Sequence, residues 1–180
     1  EHCEEFGRLK QANSSKISDK AKDRGKHQLG TLGSGNHFLE IQTIDEIYDK
    51  KIAETFGIKK KGQVVVMIHT GSRGLGHQTC SDYLRRMEKE HPEMIAELPD
   101  RDLAYAKIGT QTADDYFKAM CAAANFAWAN RQLITYQVRR SFKEFFPNSE
   151  LKLVYDVCHN IAKIEEYEVD GKKKKLIIHR

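Results

Sequence analysis

Three times along this chain an apolar, strand-like stretch adjoins a histidine with asparagine or glycine close by. His37 follows Asn36 and opens onto residues 38–42, His69 closes 63–68 ahead of Gly71, and His159 closes 151–158 ahead of Asn160. Side chains at strand margins project into clefts at the edge of a sheet, so this recurrence constrains fold and chemistry together. A neutral imidazole is a common ligand for Zn, Mn, Fe and Ni, and histidines from separate strand ends converge on an ion without a local motif such as HExxH. Any one of them alone is as readily a structural or surface histidine. The shared context selects His37, His69 and His159 as candidate metal ligands. His2, His27 and His91 lie in charged segments and His77 starts a helix, so these are read as non-ligands.

The intervening sequence alternates strand and helix signals. Residues 29–37 carry Gly30, Gly33 and Gly35 within six positions, a loop of unusual backbone geometry. Residues 38–42 then alternate as a strand, with His37, Leu39 and Ile41 on one face and Phe38, Glu40 and Gln42 on the other. Thr43 and Glu46 form a capping box for a helix with Ile44, Ile47, Tyr48 and Ile52 on one stripe, closed by Gly57. Residues 63–68 are apolar on both faces, as in a strand buried within a sheet. A second glycine-rich loop, 70–76, feeds a helix from His77 to Glu90 that stops near Pro92. A long helical pattern runs from an N-cap at Thr112 to Phe146, ended by Pro147, as one helix or two. Residues 151–158 read as a third strand, and 161–169 with 173–179 as a hairpin about Asp170-Gly171.

Composition narrows the class. With 39% hydrophobic and 31% charged residues and no apolar run near the length of a membrane span, the chain reads as a soluble globular protein. Cys3, Cys80, Cys121 and Cys158 show no CxxC pairing, which argues against a zinc knuckle or disulfide scaffold and for a reducing compartment. The net charge of +4 includes basic runs at Lys16–Lys26 and Lys172–Lys175, which permit RNA as a partner and equally suit solvated surface.

Around the histidines stand polar groups with two readings each. Arg73 and the backbone of the second glycine-rich loop suit a phosphate, or the glycines only shape a turn. Asn36 and Asn160 either donate to phosphate oxygens or orient an imidazole. Glu40 is a ring-recognition carboxylate or a surface residue. Strand alternation turns Cys158 away from His159, as a buried apolar thiol, and Trp128 reads as core.

Taken together, the segments Leu-Gly-Thr-Leu-Gly-Ser-Gly-Asn-His-Phe-Leu-Glu-Ile-Gln, His-Thr-Gly-Ser-Arg-Gly-Leu-Gly-His-Gln, Asn-Phe-Ala-Trp-Ala-Asn-Arg and Tyr-Asp-Val-Cys-His-Asn-Ile-Ala-Lys resemble the RtcB family of RNA ligases, in its archaeal and eukaryotic branch. The resemblance covers residues 1–180 and implies an α/β (α+β) fold, mixed sheets flanked by helices around a metal-binding cleft. It also implies the chemistry. Two Mn2+ ions bind GTP, an enzyme histidine is guanylylated, GMP passes to an RNA 3'-phosphate, and a 5'-hydroxyl displaces it; a 2',3'-cyclic phosphate is hydrolysed first. Carried over by position, His69 and His159 bind one manganese and His37 helps bind the other. Asn36, Glu40 and Asn160 contact the guanine nucleotide, and Arg73 contacts an RNA phosphate. Implied partners are tRNA exon halves, GTP, an activating protein and ligase-complex subunits, in the cytoplasm and, in a eukaryote, the nucleus.

The family's bridging metal cysteine belongs to an Asp-Val-Gly-Cys-Gly-type motif and its nucleotide-accepting histidine to a His-Gly-Ala-Gly-type motif, neither present here. His179-Arg180 resembles the start of a further motif, and His179 is not assigned as the acceptor. The expectation is therefore a single partial domain, the central portion of such a catalytic domain, that does not ligate RNA in isolation and holds no assigned catalytic residue. Two other readings stand beside it: a metal-dependent phosphodiesterase acting on RNA ends, and a non-catalytic RNA-binding fragment.

Overall fold

The computed structural model describes residues 2–180. Its framework is a pair of packed helices, α3 (Arg73–Glu90) and α5 (Gln111–Phe145), with α1 (Asp19–Lys26) laid against α3. Two short helices, α2 (Lys50–Thr55) and α4 (Pro92–Glu97), and three single turns complete the helical part. Strands β1 (Phe38–Thr43) and β2 (Val64–His69) form one antiparallel pair, and β3 (Ala162–Val169) and β4 (Lys172–His179) another. The α/β expectation holds, with the qualification that both sheets are antiparallel.

α5 is a single helix of 35 residues. No glycine or proline interrupts 111–145, and two opposite flanks are buried, so nothing forces a break. One flank places Ala119 and Ala123 against Leu75, Tyr83 and Met87 of α3 and Ala21 of α1. The other places Cys121, Ala124 and Trp128 against Leu9 and Ile161. Trp128 is therefore core, as expected. The N-cap is Thr110, whose hydroxyl accepts from the Ala113 amide, and not Thr112, whose hydroxyl is drawn aside to the Glu90 carboxylate.

The second glycine-rich stretch is not a loop as far as residue 76: the helix starts at Arg73 and takes in Gly74 and Gly76. Their use is close packing. A Cβ on Gly74 would lie 2.8 Å from Gln28 Oε1 and 3.2 Å from Arg24 Cβ, and one on Gly25 of α1 would lie 2.7 Å from Leu75 Cβ. The two glycines face each other's helix and set the α1–α3 spacing.

Three other expectations are corrected. Thr43 caps no helix, because the ladder continues past it: the Ile44 amide donates to Gln63 O and Gly62 donates to Ile44 O. With those groups committed, the helix waits until Lys50, capped by Asp49 through the Ile52 amide, and Gly57 closes it with φ +74. The strand ending at His69 is paired on one side only and leaves Val64 and Met67 accessible, so it is not interior. Residues 151–158 form no strand; among the described residues their only bridge is Cys3 with Asp156. The 162–179 hairpin is present, turning on Asp170 and Gly171, both at positive φ as a tight two-residue turn needs.

The buried Asp115 ties the helices to the N-terminal segment, accepting from Lys16 Nζ at 2.8 Å, Gln111 Nε2 at 2.8 Å and Arg86 Nη1 at 3.1 Å. The Lys16 ammonium above all, then Gln111 and Arg86, outweigh burial and pull its carboxyl from 3.8 to about 2. A pKa below that of the unfolded chain means stability present above the ordinary carboxylate range and lost as pH falls towards about 2. The unfolding midpoints of the wild type and D115N should therefore converge when denaturation is followed from about pH 6 down to about pH 2. G25A, which presses a methyl into Leu75, should cost about 1–3 kcal/mol in denaturant unfolding, with far-UV circular dichroism unchanged.

Candidate metal and phosphate site

The ends of separate elements meet at a cleft of about 410 Å³ between β2, the start of α3, the middle of α5 and the 157–161 segment. Register explains one approach: Phe38 pairs with His69, so His37 lies one residue beyond the ladder on the same side as the end of β2. The His37 and His69 rings are edge-on at 6.1 Å between centroids, and those of His69 and His159 are 5.0 Å apart. Their nitrogens are closer still, with Nε2 of His69 3.3 Å from Nε2 of His159. Asn160, at φ +58, turns the chain directly after His159 and also lines the cleft.

Behind the histidines the two glycine-rich segments are bound to each other. Thr70 donates to Leu32 O, and Arg73 Nε donates to Thr31 Oγ at 3.2 Å. Gly33, at φ +109, cannot be replaced without a clash, since its Cβ would meet the Arg73 guanidinium and stand 2.6 Å from His37 Nδ1. Arg73 thus reaches across to the first loop. His37 Nδ1 is buried without a hydrogen-bond partner among the described residues. Burial first, then the Arg73 and His69 charges, lower the His37 pKa and favour its neutral form.

Of the seven residues selected from the sequence, His37, His69, Arg73, His159 and Asn160 line this cleft. Asn36 and Glu40 do not. Asn36 is exposed in the loop before β1, and Glu40 is exposed on the strand, accepting from Gln42 Nε2 at 2.8 Å. Cys158 departs from its expected place. With no strand there, alternation has no hold, and the half-buried thiol lines the cleft while receiving Arg131 Nη2 at 3.2 Å. Burial, against the pull of Arg131, pushes that thiol up and keeps it protonated.

The donor set fits a divalent ion in part. Two ligands about 2.1 Å from an ion, at angles between octahedral and tetrahedral, stand about 3.0–3.4 Å apart, which brackets the His69–His159 separation. The unpartnered His37 nitrogen is a further free donor. Among the described residues no three His, Cys, Asp or Glu side chains group closely enough to hold an ion by themselves. For a metal ion the pair alone would be an incomplete coordination shell.

Two residues that sequence reasoning left without a role do most of the positioning. Asn130, fully buried, accepts from the amides of Gly30 at 2.7 Å and Thr31 at 3.1 Å, and donates to Thr31 O and Gly71 O, each at 3.1 Å. Arg131 donates to Thr70 O, Asp156 Oδ1 and Cys158 Sγ. A signal was available: Arg131 continues the stripe of Ala124, Ala127 and Trp128 at helical spacing, where a charge is anomalous.

An α/β chain that gathers imidazoles, an amide and a guanidinium at one cleft is of a kind suited to metal ions and phosphates, and comparison with known proteins places it further. The profile of the tRNA-splicing ligase RtcB family matches residues 1–180. The tRNA-splicing ligase RtcB of Nanoarchaeum equitans is 59% identical over 98% of the chain and 37% of that protein. Those of Aeropyrum pernix and Thermococcus kodakarensis are 58% and 56% identical over the whole chain and 38% of each relative. The chain belongs to the RtcB family of tRNA-splicing ligases and spans less than two fifths of the length of these relatives.

Removing the Asn130 amide leaves two loop N–H groups and two carbonyls without their partner. N130A should lower stability by about 2–4 kcal/mol in denaturant unfolding. N130D, which sets a carboxylate against the carbonyls of Thr31 and Gly71, should be no better than N130A.

Proposed function

We propose that this chain supplies part of the metal, nucleotide and phosphate site of a GTP- and manganese-dependent RNA ligase. Such a ligase joins 3'-phosphate or 2',3'-cyclic phosphate ends to 5'-hydroxyl ends, in tRNA splicing and RNA repair. The observation that carries this reading is the His69–His159 pair sharing a cleft with His37, Arg73 and Asn160 in a chain of this family.

In this reading His69 and His159 hold one Mn2+ and His37 contributes to a second. The bound ions would screen phosphoryl oxygens and align the attacking and departing groups. Asn160 donates its amide to the nucleotide, and Asn36 and Glu40, which lie outside the cleft lining, are its further contacts in this reading. Arg73, fixed through Thr31, offers its outward N–H groups to an RNA phosphate, where a planar fork suits two oxygens at once. Thr70, Gly71 and Ser72 also line the cleft. The substrates are tRNA exon halves and similar broken RNAs, with an activating protein and ligase-complex subunits as partners in the cytoplasm, and in the nucleus of a eukaryote. No described helix is long and apolar enough to cross a membrane.

The test uses the intact gene product with GTP, Mn2+ and an RNA pair bearing 3'-phosphate and 5'-hydroxyl ends. H69A and H159A should each reduce joining by about two orders of magnitude or more, as loss of a metal ligand does, with Mn2+ binding weakened in parallel. Joining that proceeds without GTP or at undiminished rate in both variants would sink the proposal. The 180-residue chain alone should take no covalent label from GTP, because none of its histidines is assigned as guanylyl acceptor.

A further inference from the structure

Arg131 is a cation on α5, whose side chains bond to both glycine-rich segments and to the approach to His159, and it is only 8% exposed. Burying a guanidinium is costly unless it is hydrogen-bonded, and here each of its three nitrogens has its own partner. Nη1 donates to the carbonyl of Thr70, the residue after His69, at 3.1 Å. Nη2 points to the thiol of Cys158, the residue before His159, at 3.2 Å, and Nε donates to Asp156, two residues further back, at 2.7 Å. One rigid planar group therefore bonds to the chain immediately beside both members of the histidine pair. These two segments are 90 positions apart in sequence and share no strand ladder. Asp156 is in turn held by backbone bonds to His2 and Glu4, so the Arg131 fork has a fixed anchor at its far end.

We infer that Arg131 is the positioning residue that sets the separation of the His69 and His159 imidazoles, and with it the affinity of the pair for a divalent cation. It touches neither imidazole and acts through Thr70, Asp156 and Cys158. Lysine cannot take its place, because a single ammonium on a flexible stem lacks the planar three-way fork. This rests on the metal reading of the pair proposed above.

Mn2+ binding to the intact gene product, read from the electron paramagnetic resonance of the free ion, provides the test. Three proteins are compared: wild type, R131K and R139K. R139K is matched, since Arg139 lies on the same helix and donates to Leu151 O in the same C-terminal segment at 2.9 Å, away from the cleft. Far-UV circular dichroism and unfolding midpoints are recorded for each. R131K should keep the wild-type fold and bind Mn2+ about tenfold or more weakly, as loss of a group that orients a ligand does, whereas R139K should bind within about twofold of wild type. A folded R131K that binds within about threefold of wild type overturns the inference, as does an equal loss in R139K. Should R131K not fold, C158A, which frees only the Nη2 arm, decides: weakening by about threefold or more supports the inference and unchanged binding overturns it. A wild type that binds no Mn2+ removes both the metal reading and this one. A wild type that binds, with R131K equal to it, removes the positioning role alone.

Discussion

The buried Asn130-Arg131 pair is the constraint on which the site depends. Strands and loops from three distant regions have no common sheet to hold them, and the long helix supplies the missing frame. Consecutive positions on a helix point about 100° apart, so neighbours in sequence serve different segments: Asn130 meets the two glycine-rich stretches, and Arg131 meets Thr70 and the approach to His159. Every side-chain nitrogen and oxygen of these two residues has a partner within the protein, which is what makes an amide and a guanidinium tolerable in a helix flank otherwise built of alanine and tryptophan. The arrangement is stiff for the same reason, since loosening any partner exposes an unmet buried group.

Glycine contributes to the site in two physically different ways. Gly33 is needed for its backbone conformation and for the room it leaves to Arg73 and His37. Gly25 and Gly74 have ordinary helical backbones and matter because α1 and α3 approach too closely for a side chain between them. The spacing of α1 and α3 fixes where the first turn of α3 stands, hence where Arg73 emerges. Packing at some distance from the cleft thereby governs the Arg73 side of it.

The two small sheets draw their order from outside themselves. An isolated two-stranded ribbon is marginal, and here Ile41, Val64 and Met67 on one pair and Ile164, Leu176 and Ile177 on the other remain accessible. What fixes the first is the Thr70–Leu32 bond at the end of β2 and the loop contacts of Asn130 behind it. What fixes the second is its root: Ile161 is buried in the core and exchanges backbone bonds with Arg180, and Lys163 is paired with Glu4. Both anchors lie at the strand ends nearest the histidines, so the site end of each ribbon is its ordered end.

Local patterns were legible wherever one short stretch contains all the information. The alternation of 38–42, the Asp170-Gly171 turn, the long helix before Pro147 and the placement of His37 and His69 at strand margins are of this kind, and the motifs carried the family. Element limits were not legible where a distant partner decides them: Ile44 is claimed by Gln63, so no helix starts at Thr43, and Gly74 lies inside a helix because α1 packs on it. The failure at 151–158 has the same origin, because β-like residues become a strand only if another strand is there to pair. By itself the sequence determined which residues are capable of the chemistry, since imidazole, guanidinium and amide are properties of side chains. Only the tertiary structure decided that His69 and His159 stand 3.3 Å apart, that Glu40 faces away from the cleft lining, and that Asn130 and Arg131 hold the rest. Proximity across 90 positions is set by packing and by buried hydrogen bonds, and no local pattern encodes it.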